Sequence, residues 1–338
     1  MSQKIVAVCS NARILLALGV AVSAGVGCGG GQPGPRATRF QGEPPLQIVA
    51  TTGPVGDAVR HVAGQHGEVT TLMGPGVDPH LYSQERDDMV RLENADVVFY
   101  NGLHLEGRLA DVLEGLAARR AVFAVTDRLV EENDPRLRQV EGFYGFPDPH
   151  VWHDAALWAD CVRQVGEDLA EFDPERAADY RKNAADYAAQ LDALDAEVRE
   201  KIASIPPKRR VLVTAHDAFG YFSKTYGMES LGLKGISTED QVDLARMNEV
   251  VNTLVDRDVP CVFVESAVAP KIMEALVEPC EARGHTVRIG EELYADALGR
   301  PADGADTYVG MIRANVAAMV DGLRGGEPSE PEEGADAP

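Results

Sequence analysis

The chain has 338 residues, 54 of them acidic and 32 basic, for a formal charge of −22. Basic side chains are too outnumbered for a phosphate-neutralising protein, so nucleic acid and anionic lipid headgroups are excluded as ligands and the sign favours a cationic one. With 45% hydrophobic and 25% charged residues the composition is globular, and the length fits about two domains.

In chain order, Lys4 and Arg13 precede the apolar run Ile14–Val22, which passes into the small residues Ser23-Ala24-Gly25-Val26-Gly27 and then Cys28. A basic start, a short apolar run and small residues predict an export signal over 1–27, too short to anchor stably across a bilayer. Cys28 after Gly-Val-Gly resembles the bacterial lipoprotein cleavage box, with Gly25 where Leu is usual, and predicts lipidation at Cys28. Residues 28–45 open on Gly29-Gly30-Gly31-Gln32-Pro33-Gly34-Pro35 and read as a flexible tether. Loss of 1–27 removes two basic residues and no acid, moving the charge from −22 to −24.

From Leu46 short apolar runs alternate with amphipathic stretches, the pattern of βα units in a mostly parallel sheet. Strands are predicted at Gln47–Thr52, Val69–Met73, Ala95–Tyr100 and Ala121–Val125 in a first lobe (46–172), and at Arg210–Ala215, Cys261–Glu265 and Thr286–Ile289 in a second (207–324). Between them, 173–206 reads as one long helix, with Asp173 as N-cap, Pro174 at the first helical position and Pro206-Pro207 as its stop. Tyr180, Ala184, Tyr187, Leu191, Leu194, Val198 and Ile202 recur at steps of four and three, one apolar stripe on a strut of about 48 Å. The predicted fold is α/β, two βα-sandwich lobes joined by this helix with a cleft between them. Gly325 to Pro338 carries five acids and no basic or large apolar residue, and reads as a disordered acidic tail. Cys161, Cys261 and Cys280 lie in apolar segments without C-x-x-C spacing, so no thiolate metal site is indicated.

Eight histidines remain to be weighed. His61, His66 and His285 sit in polar or Gly-rich settings and read as surface residues. His80 follows a strand and the turn Gly74–Pro79, His216 follows a strand directly, and His150 follows Phe146-Pro147-Asp148-Pro149. Two of them share the dipeptide Asp-Pro, whose proline stiffens the backbone before the imidazole, and ligands of open α/β sheets bind beyond the carboxyl ends of strands. The three lie 70 and 66 residues apart, so no local chelate exists, and a strand-end histidine serves as readily as a hydrogen-bonded structural residue. His153, two residues beyond Val151, straddles a predicted helix start at Asp154 and is set aside. His104 also follows a strand and stays a supporting candidate.

Several stretches in order resemble the metal-binding lipoproteins of bacterial ABC importers, the TroA-like class (cluster A-I) that delivers zinc or manganese. They are Gly76–His80, Tyr100–Glu106, Asp148–Trp152, Thr214–Phe222, Gly235–Glu239, Val262–Ser266 and Asp306–Met311, covering the chain from about Leu46 to Leu323. The resemblance implies a bilobed fold with a long backbone helix, little hinge motion, and a closed metal site between the lobes with two ligands from each. Carried onto this sequence, those ligands are His80, His150, His216 and Asp306, the last also favoured by the dipole of the helix it precedes.

Three imidazoles and a carboxylate suit Zn²⁺ and accept Mn²⁺. Zinc-dedicated members often carry a His-rich loop that is absent here, where Asp127 to Pro147 contains no histidine. Manganese-dedicated members often carry a carboxylate where His216 stands. Glu265, at a strand end, is positioned to accept a hydrogen bond from a ligand imidazole. The expectation is a non-catalytic, exported and lipid-anchored receptor that passes its metal to an ABC permease and its ATPase. A zinc-dependent hydrolase and a metal-binding surface adhesin are the alternatives.

Overall fold

The computed structural model describes residues 39–324. The expected export signal, Cys28, most of the tether and the acidic tail lie outside the described residues. Within the tether, Phe40 leans on Phe172 with ring centroids 6.0 Å apart, and its N–H donates to the Phe172 carbonyl at 2.7 Å. Its aromatic ring gives that end of the segment something to bury.

The first lobe alternates strand and helix. In order come β1 (Leu46–Ala50), α1 (Gly53–Ala63), β2 (Gly67–Thr71), α2 (Arg86–Asn94), β3 (Val97–Tyr100), α3 (Ala110–Ala117), β4 (Ala121–Ala124) and the short α4 (Asp127–Glu131). The strands form one parallel sheet in the order β2-β1-β3-β4. Because side chains alternate across a strand, the sheet feeds two cores. Ile48, Ala50, Val97 and Phe99 join the main core with α1, whereas Val49 and Val98 face a smaller one with Leu92, Leu109, Leu113 and Leu116.

α5 (Ala155–Phe172) and α6 (Ala177–Ala203) follow and pack along each other. Asp154 caps α5 through its side chain, which accepts from the N–H groups of Ala156 and Leu157. The predicted strut is shorter than expected: a 3₁₀ turn, Pro174–Arg176, precedes a 27-residue α-helix, about 40 Å long. Asp173 does not act as a side-chain cap, because its carboxylate is taken by Arg176 and by the Tyr180 hydroxyl. Every residue of the predicted apolar stripe is buried. α6 packs on α1 of the first lobe and on two helices of the second, Gly220–Tyr226 and Tyr308–Arg324.

The second lobe contains β5 (Val211–Thr214), α7 (Gly220–Tyr226), β6 (Glu229–Gly232), α8 (Leu244–Arg257), β7 (Cys261–Val262), the short α9 (Lys271–Glu274) and α10 (Val277–Glu281), β8 (Arg288–Ile289) and α11 (Tyr308–Arg324). β5 pairs with β6 and β7 with β8, all parallel, and Phe263 N–H donates to Val213 O at 3.0 Å, setting β7 beside β5. β6 has no counterpart among the predicted strands: its Glu-Ser-Leu-Gly sequence has too little apolar character to stand out. The predicted strands from Cys261 and Thr286 shrink to two residues each. Beyond them, among the described residues, pairing continues as Gly290 N–H to Val262 O and a bridge between Glu265 and Leu293. One core cluster runs from Leu46 of the first lobe through α5 and α6 to Leu323 of the second. Parting the lobes widely would expose part of that shared core, which opposes large hinge motion.

Candidate metal centre

The Asp-Pro-His tripeptide is used twice and folds the same way both times. Asp78 Oδ1 accepts from the His80 N–H at 2.9 Å, and Asp148 Oδ1 accepts from the His150 N–H at 3.0 Å. In each, the aspartate closes a local turn over the intervening proline and fixes the direction in which the imidazole leaves the chain. The remaining oxygen of each aspartate goes to the second lobe or to a charge: Asp78 Oδ2 accepts from Thr238 Oγ1 at 2.6 Å, and Asp148 Oδ2 is held by Arg138.

His216 follows β5. The close passage of β6 beside it depends on Gly232, where a Cβ would fall 2.5 Å from the Asp217 backbone nitrogen. Glu265, three residues past β7, grips His216 twice, accepting from its backbone N–H at 3.0 Å and facing its Nδ1 at 2.5 Å. His150 Nδ1 likewise faces Asp148 Oδ1 at 2.7 Å. A carboxylate at Nδ1 holds a proton there and turns Nε2 inward as the nitrogen that can bind a metal.

The inward atoms converge. His80, His150 and His216 each present a ring nitrogen and Asp296 a carboxylate oxygen, all within 4.8 Å of one another, and all four residues are buried. His80 Nε2 is 3.3 Å from His150 Nε2, His150 Nε2 is 3.3 Å from Asp296 Oδ1, and His216 Nε2 is 3.3 Å from Asp296 Oδ2. Four donors at zinc-ligand distance from one tetrahedral centre stand about 3.3 Å apart. Among the described residues, His216 Nε2 and both oxygens of Asp296 have no hydrogen-bond partner despite burial. Unpaired buried polar atoms are costly, and a single cation between them would satisfy all three. The donor set fits a borderline divalent metal.

The carboxylate is Asp296, and the expected Asp306 is not part of the group. Asp306, recommended by the family resemblance and by its position before a helix, is exposed ahead of α11. Asp296 lies in irregular chain after β8, flanked by the buried Ala295, Ala297 and Leu298. A lone acid in a run of small and apolar residues was the available signal for it. His104 takes a left-handed backbone, φ 64°, and its ring stacks parallel on Phe146 at 5.2 Å. Among the described residues no hydrogen bond joins it to a ligand imidazole; with His80 it lines a cavity of about 250 Å³ between the lobes. The other histidines are structural. His153 Nε2 bonds Ala295 O at 2.9 Å, His61 stacks on Tyr187, His66 pairs with Asp179, and His285 bonds Val259 O.

The electrostatics follow from this crowding. Burial alone would raise Asp296, but His216 and His150 outweigh it and hold the carboxyl well below its usual range. Burial pulls His80 down to about 3. At His150 burial also acts downward, yet Asp148 and Asp296 prevail and the imidazole rises to about 9. His216 rises well above its ordinary value because Glu265 and Asp296 overcome burial in the same way. The centre thus favours positive charge between the rings, carried by protons or by a metal that displaces them.

Comparison with known proteins meets this geometry from another side. The family model described as zinc-uptake complex component A, periplasmic (ZnuA), matches residues 48–322. The chain belongs to this family. It is 41% identical over 299 residues to the manganese-binding lipoprotein MntA of Bacillus subtilis, covering 88% of this chain and 94% of that one. It is 42% identical over 276 residues to the zinc-binding protein TroA of Treponema pallidum, covering 82% and 88%. The solved structure of that periplasmic zinc-binding TroA superposes with a TM-score of 0.77, covering 83% of this chain and 99% of that one. The two-lobe α/β architecture with a long helix is therefore that of the family.

Proposed function

We propose that this protein is an extracytoplasmic solute-binding receptor that captures one divalent transition metal, zinc or manganese, between its lobes and delivers it to an ABC permease with its ATPase. His80 and His150 from the first lobe and His216 and Asp296 from the second are the ligands, with Asp148 and Glu265 orienting two of the imidazoles. The observation that supports this reading is the buried quartet itself, with three inward atoms that make no hydrogen bond among the described residues. Relatives named for manganese and for zinc, at 41% and 42% identity, support the same cargo class.

The metal is cargo, and the site favours capture over chemistry. A catalytic zinc keeps three protein ligands and an open position for water or substrate. Here four protein donors converge, and His150, His216 and Asp296 are at most 1% exposed. Export with lipidation at Cys28 would hold such a receptor at the outer face of the membrane, beside its permease.

Metal analysis of the purified mature protein tests the reading. About one equivalent of Zn²⁺ or Mn²⁺ per chain is expected, with each ion displacing the other in competition. A protein that takes up neither ion would refute the proposal.

A further inference from the structure

We infer that Arg138 is a positioning residue that ties the two halves of the metal centre together and sets how fast the metal leaves. The inference rests on the metal-receptor reading above. Arg138 belongs to the first lobe, and its side chain is 24% exposed. Nη1 donates to Asp148 Oδ2, and Nη2 donates to Asp217 Oδ2 at 3.0 Å. Asp148 is fully buried and spends its other oxygen on the backbone N–H and Nδ1 of His150. Asp217 directly follows His216. One guanidinium therefore reaches the support of a first-lobe ligand and the chain neighbour of a second-lobe ligand.

Two further features fit this crossing. The Tyr221 hydroxyl, on α7, accepts from the Arg138 N–H at 3.0 Å and donates to the Asp148 carbonyl at 2.9 Å. Gly220, the first residue of α7, leaves the passage clear: a Cβ there would sit 1.5 Å from Arg138 Nη1. The planar fork of arginine can serve two carboxylates at once, which a lysine point charge does less well.

Release requires His216 and Asp296 to separate from His80 and His150. That movement must also break the Arg138–Asp217 contact, a charge-assisted bond in a partly buried setting. The latch therefore acts on dissociation.

The test is stopped-flow release of Zn²⁺ into excess chelator from the mature protein, compared among wild type, Arg138→Gln, Asp217→Asn, Gly220→Ala and the Arg138→Gln/Asp217→Asn double variant. Each single variant is expected to release about tenfold faster, with stoichiometry unchanged. The double variant should be no faster than its faster parent, because both changes remove the same contact. Gly220→Ala displaces the guanidinium without altering any charge, and Asp217→Asn leaves the Arg138–Asp148 pair in place, so the test survives if Arg138→Gln fails to fold. Wild-type release rates in Asp217→Asn and Gly220→Ala, or effects that multiply in the double variant, would overturn the latch. A wild type that binds no metal would instead remove the receptor reading beneath it.

Discussion

The first lobe delivers its two imidazoles from matching Asp-Pro-His turns, whereas the second delivers His216 straight off β5 and Asp296 from irregular chain beyond a two-residue strand. The first lobe contributes imidazoles and no carboxylate to the quartet. The second contributes a buried carboxylate held strongly ionised by the surrounding rings. Each lobe therefore holds half of a site that neither could complete. Four donors assemble only when both lobes are folded and apposed, so metal binding reports on the joined state of the molecule and should raise its thermal stability by mass action.

The largest effect should come from deleting a ligand from either side. His80→Ala and His216→Ala are each expected to lose the stoichiometric ion, checked by equilibrium dialysis with elemental analysis. If one lobe alone sufficed, one of the two would keep it.

Next in size are the carboxylates that hold the rings from behind. Glu265→Gln in the second lobe and Asp148→Asn in the first should each weaken binding by about 10–100-fold, read by competition with a chelating dye. Affinity unchanged by Glu265→Gln would show that His216 is oriented by packing alone.

The pH dependence is smaller per unit and has a defined sign. With His150 raised to about 9 and His216 raised well above its ordinary value, both rings carry protons at neutral pH that a metal must displace. Affinity should therefore rise with pH, by about one to two log units per pH unit between pH 6 and 8. Calorimetry in two buffers of different ionisation enthalpy measures the protons released. His80, already neutral in this range because burial holds it near 3, should contribute none.

The smallest effect distinguishes two aspartates of the second lobe. Asp306→Asn should leave affinity within about twofold, since that side chain is exposed outside the cluster.

The same contrast between lobes governs what could be read from the sequence. His80, His150 and His216 each carry a local mark, a preceding proline or a strand end, and the structure brings all three together. The stripe on α6 was legible because seven apolar residues repeat at helical spacing with polar residues between. Asp296 was not, because its setting is tertiary: it lies in coil positioned by the Ala295 carbonyl, which accepts from Trp152 Nε1 and faces His153 Nε2 across the lobe boundary. Asp306 had a visible local attraction, the start of α11, and no tertiary one. The short strands β6, β7 and β8 were blurred for a related reason, since two to four residues hold too little alternation to mark their ends.

His80, His150, His216 and Asp296 should act together to hold one metal ion. Elemental analysis of the Asp296→Ala protein after metal loading and dialysis, with Asp306→Ala treated identically, tests it most directly. Asp306→Ala is expected to retain about one equivalent of metal, and Asp296→Ala almost none while remaining folded. A folded Asp296→Ala protein that keeps a full equivalent would contradict it.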